Sequence, residues 1–131
     1  MNSRSVSMTQ TKYDNDNIFA KILKGDIPCD KVFEDDHVLA FNDIAPQAPV
    51  HILVIPKKAY ISIDDFGEKA EPEESKAMFS AIHKIVKEKG LQNSGFRVIA
   101  NTGKEGGQEV PHFHMHIIGG APCGPMLAKN R

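Results

Sequence analysis

The stretch that decides the fold runs from Gly106 to Ile118 and reads GGQEVPHFHMHII. Histidines at positions 112, 114 and 116 alternate there with apolar residues. Successive side chains of a β-strand point to opposite faces, so this spacing predicts a strand over His112–Ile118 with its histidines on one face. Phe113, Met115 and Ile117 would then share the other face. Three of the six histidines of the chain lie in this row, which favours a functional role over a structural one.

Metal binding is one chemistry that such a row could serve, because imidazole is a common zinc ligand. Strand residues two apart are separated by about 6.6 Å, so His112 and His116 would start about 13 Å apart. A single zinc ion would therefore combine a pair such as His114 and His116 with a residue from another strand, for which His51 is the candidate.

Nucleophilic catalysis is the other chemistry. A neutral imidazole titrates near neutral pH and can attack phosphorus. The polar loop before the row contains Gly103, Gly106 and Gly107, whose backbone N–H groups could converge on an anion. Joined to the histidine row, the loop predicts a phosphate site beside a nucleophile. A plain connecting loop is the alternative interpretation.

The rest of the chain predicts an α+β domain with a mainly antiparallel sheet. A short helix is expected at 18–25, with N-cap candidates at 15–17, and a long helix at Pro72–Lys89. The long helix carries one apolar stripe, formed by Met78, Phe79, Ile82, Ile85 and Val86. Residues 62–70 suit a short helix. The other predicted strands are Lys31–Glu34, His37–Phe41, Val50–Ile55 and Phe96–Ala100, the first two joined at Asp35-Asp36.

Length and composition limit the class of protein. The 131 residues suit one domain, expected at 15–131 after a mobile tail at 1–14, in which Met8 is a possible alternative start. The formal charge of −1 shows no basic excess, which argues against nucleic acid as a partner. No apolar run reaches the roughly 20 residues that span a membrane. Cys29 and Cys123 form no disulfide framework, which favours a reducing, cytoplasmic location.

Two segments of the chain resemble the histidine-triad (HIT) family, and within it the Hint-type purine nucleoside phosphoramidase branch. They are residues 18–58, which begin IFAKILKGDIP and end HILVIPKK, and residues 101–120, NTGKEGGQEVPHFHMHIIGG. The family signature is His-φ-His-φ-His-φ-φ, where φ is apolar, and it is matched in full from His112 to Ile118. The resemblance covers about 17–125 and implies a five-stranded sheet with one long helix and a short N-terminal helix.

The resemblance also implies catalytic roles. His114 would be the nucleophile that becomes nucleotidylated, and His116 would contact the phosphate and the leaving group. His112 would support the nucleophile through its backbone carbonyl. His51 would lie just behind these groups. The expected reaction is hydrolysis of a purine nucleoside 5′-phosphoramidate or a related nucleotidyl conjugate.

The expected ligand is therefore a purine nucleoside monophosphate or its phosphoramidate, and the expected assembly is a homodimer without a cofactor. The resemblance assigns ten residues to nucleotide binding. They are Phe19, Ile22, Phe41, Asn42, Asp43, Ile44, Asn101, Gly107, Gln108 and Glu109.

The chain departs from the family pattern at several positions. Some bacterial relatives hold zinc with a cysteine pair where this chain has Asn17 and Ala20, so we expect no metal site there. Glu109 stands where many relatives have serine, Ala59-Tyr60 stands where many have histidine, and the C-terminus lacks the tryptophan of some animal relatives. Two alternatives stay open: a metal-dependent hydrolase that uses the histidine row, and a regulatory nucleotide-binding module with incidental hydrolysis.

Overall fold

A five-stranded antiparallel sheet in the order β1-β2-β3-β5-β4 forms the centre of the computed structural model, which describes residues 12–128. The possible start at Met8 lies outside the described residues. The strands are β1 (Lys31–Glu34), β2 (Val38–Asn42), β3 (Val50–Pro56), β4 (Phe96–Ile99) and β5 (Met115–Gly119). The helices are α1 (Ile18–Leu23), α2 (Ile63–Lys69), α3 (Pro72–Glu88) and the single turn α4 (Gly103–Gly106). The predicted α+β fold is confirmed.

Both faces of the sheet carry an apolar cluster. Side chains of β3 alternate between two apolar clusters, so Ile52 and Val54 lie on one face and Leu53 and Ile55 on the other. The helix α3 packs on the first face. The helix α1 covers the second face, which we call the α1 face, through Phe19. This explains why β3 is a nearly continuous apolar run.

The prediction for α3 was right in its bounds and wrong at one position of its stripe. Met78, Ile82, Ile85 and Val86 are buried against the sheet, but Phe79 is 66% exposed. At 100° per residue, Phe79 lies beyond the edge of the stripe that faces the sheet. The helix begins at Pro72 because Glu71 and Glu74 form a reciprocal capping box there.

The predicted strand at His112–Ile118 was too long at its start. The ladder between β3 and β5 begins at the pair Val54↔Met115. Before it, the N–H of Phe113 donates to the carbonyl of Tyr60 and the N–H of His112 to that of Val110. The chain therefore enters β5 through a bend, because its backbone N–H groups have non-ladder partners up to residue 113.

The segment before α1 is packed on the domain. The side chain of Asn17 caps α1 by accepting from the N–H of Ala20, and it donates to the carbonyl of Asp14 at 2.8 Å. The hydroxyl of Tyr13 contacts His112 at 2.6 Å. Residues 13 and 14, which we had placed in a mobile tail, thus have defined contacts, whereas residues 1–11 lie outside the described part. Within 12–128, no helix is both long and apolar enough to cross a membrane.

Candidate active site

His51 and His116 lie on neighbouring strands at the α1 face. The strands β3 and β5 pair so that His51 is opposite Ile118 and Leu53 is opposite His116. Residues that pair across an antiparallel ladder point to the same face. The two imidazoles consequently meet, with Nε2 of His51 2.9 Å from Nδ1 of His116.

The proton positions on these two rings follow from their partners. The backbone N–H of Gln47 donates to Nδ1 of His51 at 3.0 Å. An N–H can only donate, so this Nδ1 carries no proton and the proton of His51 is on Nε2. That Nε2–H donates to Nδ1 of His116. In a neutral His116 the proton is then on Nε2, and burial together with the nearby His114 and His51 lowers its pKa to about 4.

His114 is fixed in the opposite tautomer. Its Nδ1 lies 2.7 Å from the backbone carbonyl of His112, and a carbonyl can only accept, so Nδ1 bears the proton. The lone pair of Nε2 is therefore free. Burial lowers the pKa of His114, which keeps the ring neutral at neutral pH. The ring of Phe19 packs edge-on against the ring of His114, with centroids 5.0 Å apart. The centroid of the His116 ring also lies 5.0 Å from that of His114.

His112 is set apart from the other two. Its ring is completely buried, and its Nε2 donates to the carbonyl of Pro56 at 2.9 Å. Its Nδ1 accepts from the hydroxyl of Tyr13. Burial is the largest cause that lowers its pKa to about 4. With both nitrogens occupied inside the protein, this histidine has no free atom for a ligand.

The glycine-rich loop is held in place by the side chain of Gln108 and by hydrogen bonds within its own backbone. Gln108 accepts from the N–H of Gly103 at 3.0 Å and donates to the carbonyls of Ile61 and Val110. The N–H groups of Gly107 and Gln108 donate to Lys104 and Gly103. The N–H groups of Gly103, Gly107 and Gln108 are thus occupied within the loop, and the side chain of Gln108 braces the loop instead of facing a ligand.

Two later N–H groups of the loop are open. Those of Glu109 and Val110 donate to no partner within residues 12–128. Glu109 is exposed and has no ion-pair partner among those residues. Its charge, like that of Asp43, opposes the lowering of the His114 pKa by burial. The end of the loop therefore lies near His114.

The apolar residues assigned to nucleotide binding come together, but they are mostly packed. Phe19 and Phe41 are buried and meet edge to face at 5.6 Å, with Ile22 beside them. Ile44 is 93% exposed. Phe19 and Phe41 thus form the floor of this region, and Ile44 projects into solvent.

The two polar residues that follow Phe41 diverge. Asp43 lies near the site, with Oδ2 3.4 Å from Nε2 of His51 and Oδ1 accepting from the N–H of Ala45. Asn42 pairs with Ile52, whose side chain lies on the face of the sheet that packs against α3, so the side chain of Asn42 points to that face too. Its amide donates to Asp30. The structure therefore does not bring the side chain of Asn42 to the histidines.

An open groove of about 670 Å³ begins at the two histidines. It passes Asn101 and the exposed strand β4, and it ends at Met126 and Leu127. Arg97 of β4 donates to the carbonyls of Gly124 and Pro125, which holds this last segment at the end of the groove. Asn101 lines the same groove as His51 and His116.

The possible metal ligands in the described part of the chain are Asp43, His51 and His116, whose donor atoms lie within 4.8 Å of one another. We had considered His114 as the third ligand, and the structure has Asp43 in its place. A metal bound to Nε2 of neutral His51 would move the ring proton to Nδ1. That proton would oppose the N–H of Gln47, so the arrangement fits a hydrogen-bonded pair better than a metal centre.

Three contacts of the site have no signal in the sequence. Gln47 and Pro56 act through backbone groups, which every residue possesses, so side-chain patterns cannot reveal them. Tyr13 lies far from the histidine row in the chain, and only folding brings it to His112.

Comparison with known proteins gives the family. The HIT domain model matches residues 24–123. The purine nucleoside phosphoramidase of Escherichia coli K12 is 47% identical over 111 residues, which cover 85% of this chain and 92% of that protein. A histidine triad protein from Clostridium difficile has a TM-score of 0.74 and 50% identity, covering 85% of this chain and 96% of that one. A HIT family hydrolase from Legionella pneumophila has a TM-score of 0.70 and 41% identity, covering 80% and 93%.

The α+β fold, the order of the strands, the histidine row and the match to the HIT domain model together define the class of protein. The chain belongs to the HIT family.

Proposed function

We propose that this protein is a nucleotide-binding hydrolase that cleaves purine nucleoside 5′-phosphoramidates through a nucleotidyl intermediate on His114. The observation that carries the proposal is that the adjacent rings of His114 and His116 are neutral and in opposite tautomers. His114 presents a bare Nε2, and His116 presents an Nε2–H. The name of the E. coli relative supports the choice of substrate class.

In the first step, Nε2 of His114 attacks phosphorus. A bond from nitrogen to phosphorus forms while the P–N bond of the phosphoramidate breaks. The leaving amine takes a proton from solvent as the P–N bond breaks, and the Nε2–H of His116 is the hydrogen-bond donor beside the nucleophile that contacts the phosphate and the leaving group. In the second step, water attacks phosphorus and releases a proton to solvent, which balances the proton taken up by the amine. The bond to His114 breaks, and the nucleoside monophosphate leaves.

Charge on the phosphoryl oxygens requires donors that are already in place. The N–H groups of Glu109 and Val110 are open, and the loop that carries them is braced by Gln108. We assign these two groups to the phosphate. Gly107 would contribute its small size and left-handed backbone, with φ of +76°, since its N–H is already used.

The nucleoside would lie over the region floored by Phe19, Ile22 and Phe41. The carboxylate of Asp43 would accept from the ribose hydroxyls with Oδ2, because its Oδ1 is used by Ala45. Ile44 would close over the base from the solvent side. Asn101 would contact the phosphate from the groove. Asn42 has no side-chain role in this arrangement.

The test is turnover of a fluorogenic adenosine 5′-phosphoramidate before and after exhaustive chelation. The proposal predicts release of the amine and of AMP at the same rate in both samples, because both catalytic groups are imidazoles with no metal between them. Loss of turnover that zinc restores would favour the metal-dependent alternative. Binding of AMP without any turnover would favour the regulatory module.

A further inference from the structure

Tyr13 lies against the histidine from which the nucleophile takes its orientation. Its hydroxyl is 2.6 Å from Nδ1 of His112, and its ring meets the imidazole edge to face at 5.6 Å. The first histidine of the row is thus contacted by a residue that precedes α1. Neither the histidine signature nor the apolar pattern contains this residue.

The protonation of His112 leaves its Nδ1 in need of a donor, which the hydroxyl of Tyr13 supplies. The carbonyl of Pro56 can only accept, so Nε2 of His112 carries the ring proton and Nδ1 is left as an acceptor. Among residues 12–128, the hydroxyl of Tyr13 is the donor that reaches this Nδ1. The ring is completely buried, and a buried acceptor without a donor is costly.

The carbonyl of His112 holds the Nδ1–H of His114 at 2.7 Å. The ring of His112 is held at both nitrogens, so a displacement of residue 112 that brought its Nδ1 to another donor would also move this carbonyl. The chain of contacts from Tyr13 through His112 to His114 is therefore continuous, and it ends on the atom opposite the attacking Nε2.

We propose that Tyr13 is a positioning residue, which holds His112 and through its carbonyl fixes the orientation of His114. This inference rests on the proposed function for its kinetic consequence. Tyr13 touches no substrate in this account, so its loss acts on the chemical step and leaves substrate binding unchanged.

The test is Tyr13→Phe, which removes the hydroxyl and keeps the ring. The matched control is Tyr60→Phe, because Tyr60 is the other tyrosine of the chain and its hydroxyl donates to the buried Glu74 and to no histidine. The substitution keeps the backbone carbonyl that accepts from Phe113. Loss of one neutral hydrogen bond to His112, which orients the nucleophile, predicts that Tyr13→Phe lowers kcat about 3- to 10-fold with little change in KM. Tyr60→Phe should keep the kcat of the parent protein.

Nuclear magnetic resonance of the imidazole groups gives a readout that does not depend on turnover. In Tyr13→Phe, the Nδ1–H proton of His114 should exchange with water faster than in the parent protein, and in Tyr60→Phe it should not. The proposal is overturned if Tyr13→Phe matches the parent in kcat, if both variants lose activity alike, or if kcat falls while the exchange of His114 is unchanged. Absence of turnover in the parent protein would count against the proposed function alone, since the exchange comparison would still decide the role of Tyr13.

Discussion

Each ring of the histidine row has different hydrogen-bond partners. Gln47, His51 and the carbonyl of His112 determine which nitrogen of His114 and His116 carries the proton. Burial then lowers the pKa values of His114 and His116, so both rings stay neutral around pH 7. In the proposed function, three chemically identical side chains would thereby serve as a structural link, a nucleophile and a hydrogen-bond donor.

The pH dependence of activity tests this at the level of single residues. Protonation of His114 removes the Nε2 lone pair, and a lowered pKa moves that event to lower pH. We therefore expect kcat/KM to stay level as pH falls from 8 through the ordinary histidine value of about 6.5 and to decline only below it. The measurement is kcat/KM from pH 4.5 to 8.5 with a substrate whose own groups do not titrate in that range. An acid limb with its midpoint at or above about 6.5 would contradict the assignment.

At this scale the sequence predicts the faces and not the hydrogen bonds. Alternation with period two placed Phe113, Met115 and Ile117 in the core, as observed. It also placed the three histidines together, whereas His112 is enclosed by Tyr13 and Pro56. Side-chain alternation is a local property of the backbone, but a tautomer depends on groups that are distant in the chain.

The elements show why the site forms where it does. The strands β3 and β5 are neighbours, so a histidine from residue 51 and another from residue 116 meet across one ladder. The helices and strands themselves could be predicted, since capping residues and apolar spacing are local signals. The start of β5 could not, because it depends on the bond between Phe113 and the carbonyl of Tyr60. The turn α4 was likewise hidden in a segment that reads as a polar loop.

We expect the homodimer to form through the edge strand β4. Phe96 and Val98 are 42% and 40% exposed, and an unpaired edge with apolar side chains favours pairing with a second chain. We expect the 14.4 kDa chain to sediment as a dimer at micromolar concentration, and Val98→Glu to shift it toward the monomer. The control is Ile63→Glu on α2, because Ile63 is similarly exposed at 44% and lies away from this edge. A parent protein that sediments as a monomer would contradict the prediction.

At the scale of the whole molecule, the fold brings separate segments of the chain together around the histidine row. The segment before α1 supports the first histidine, α1 and β2 supply the floor, β3 supplies His51, and the loop before β5 supplies open N–H groups. The order of the strands decides this convergence. The family resemblance predicted a site drawn from several of these segments, whereas spacing along the chain predicted only the loop and the histidine row.

The measurement that tests the central claim most directly is mass spectrometry of the protein quenched during turnover of an adenosine 5′-phosphoramidate. The account predicts an adenylyl group on the peptide that contains residues 112–118, localised to His114 by fragmentation and missing in His114→Ala. That variant should lose nearly all turnover and still bind AMP, because the floor and the loop are unchanged. An adduct on His116 or His112, or full turnover by His114→Ala, would contradict the account.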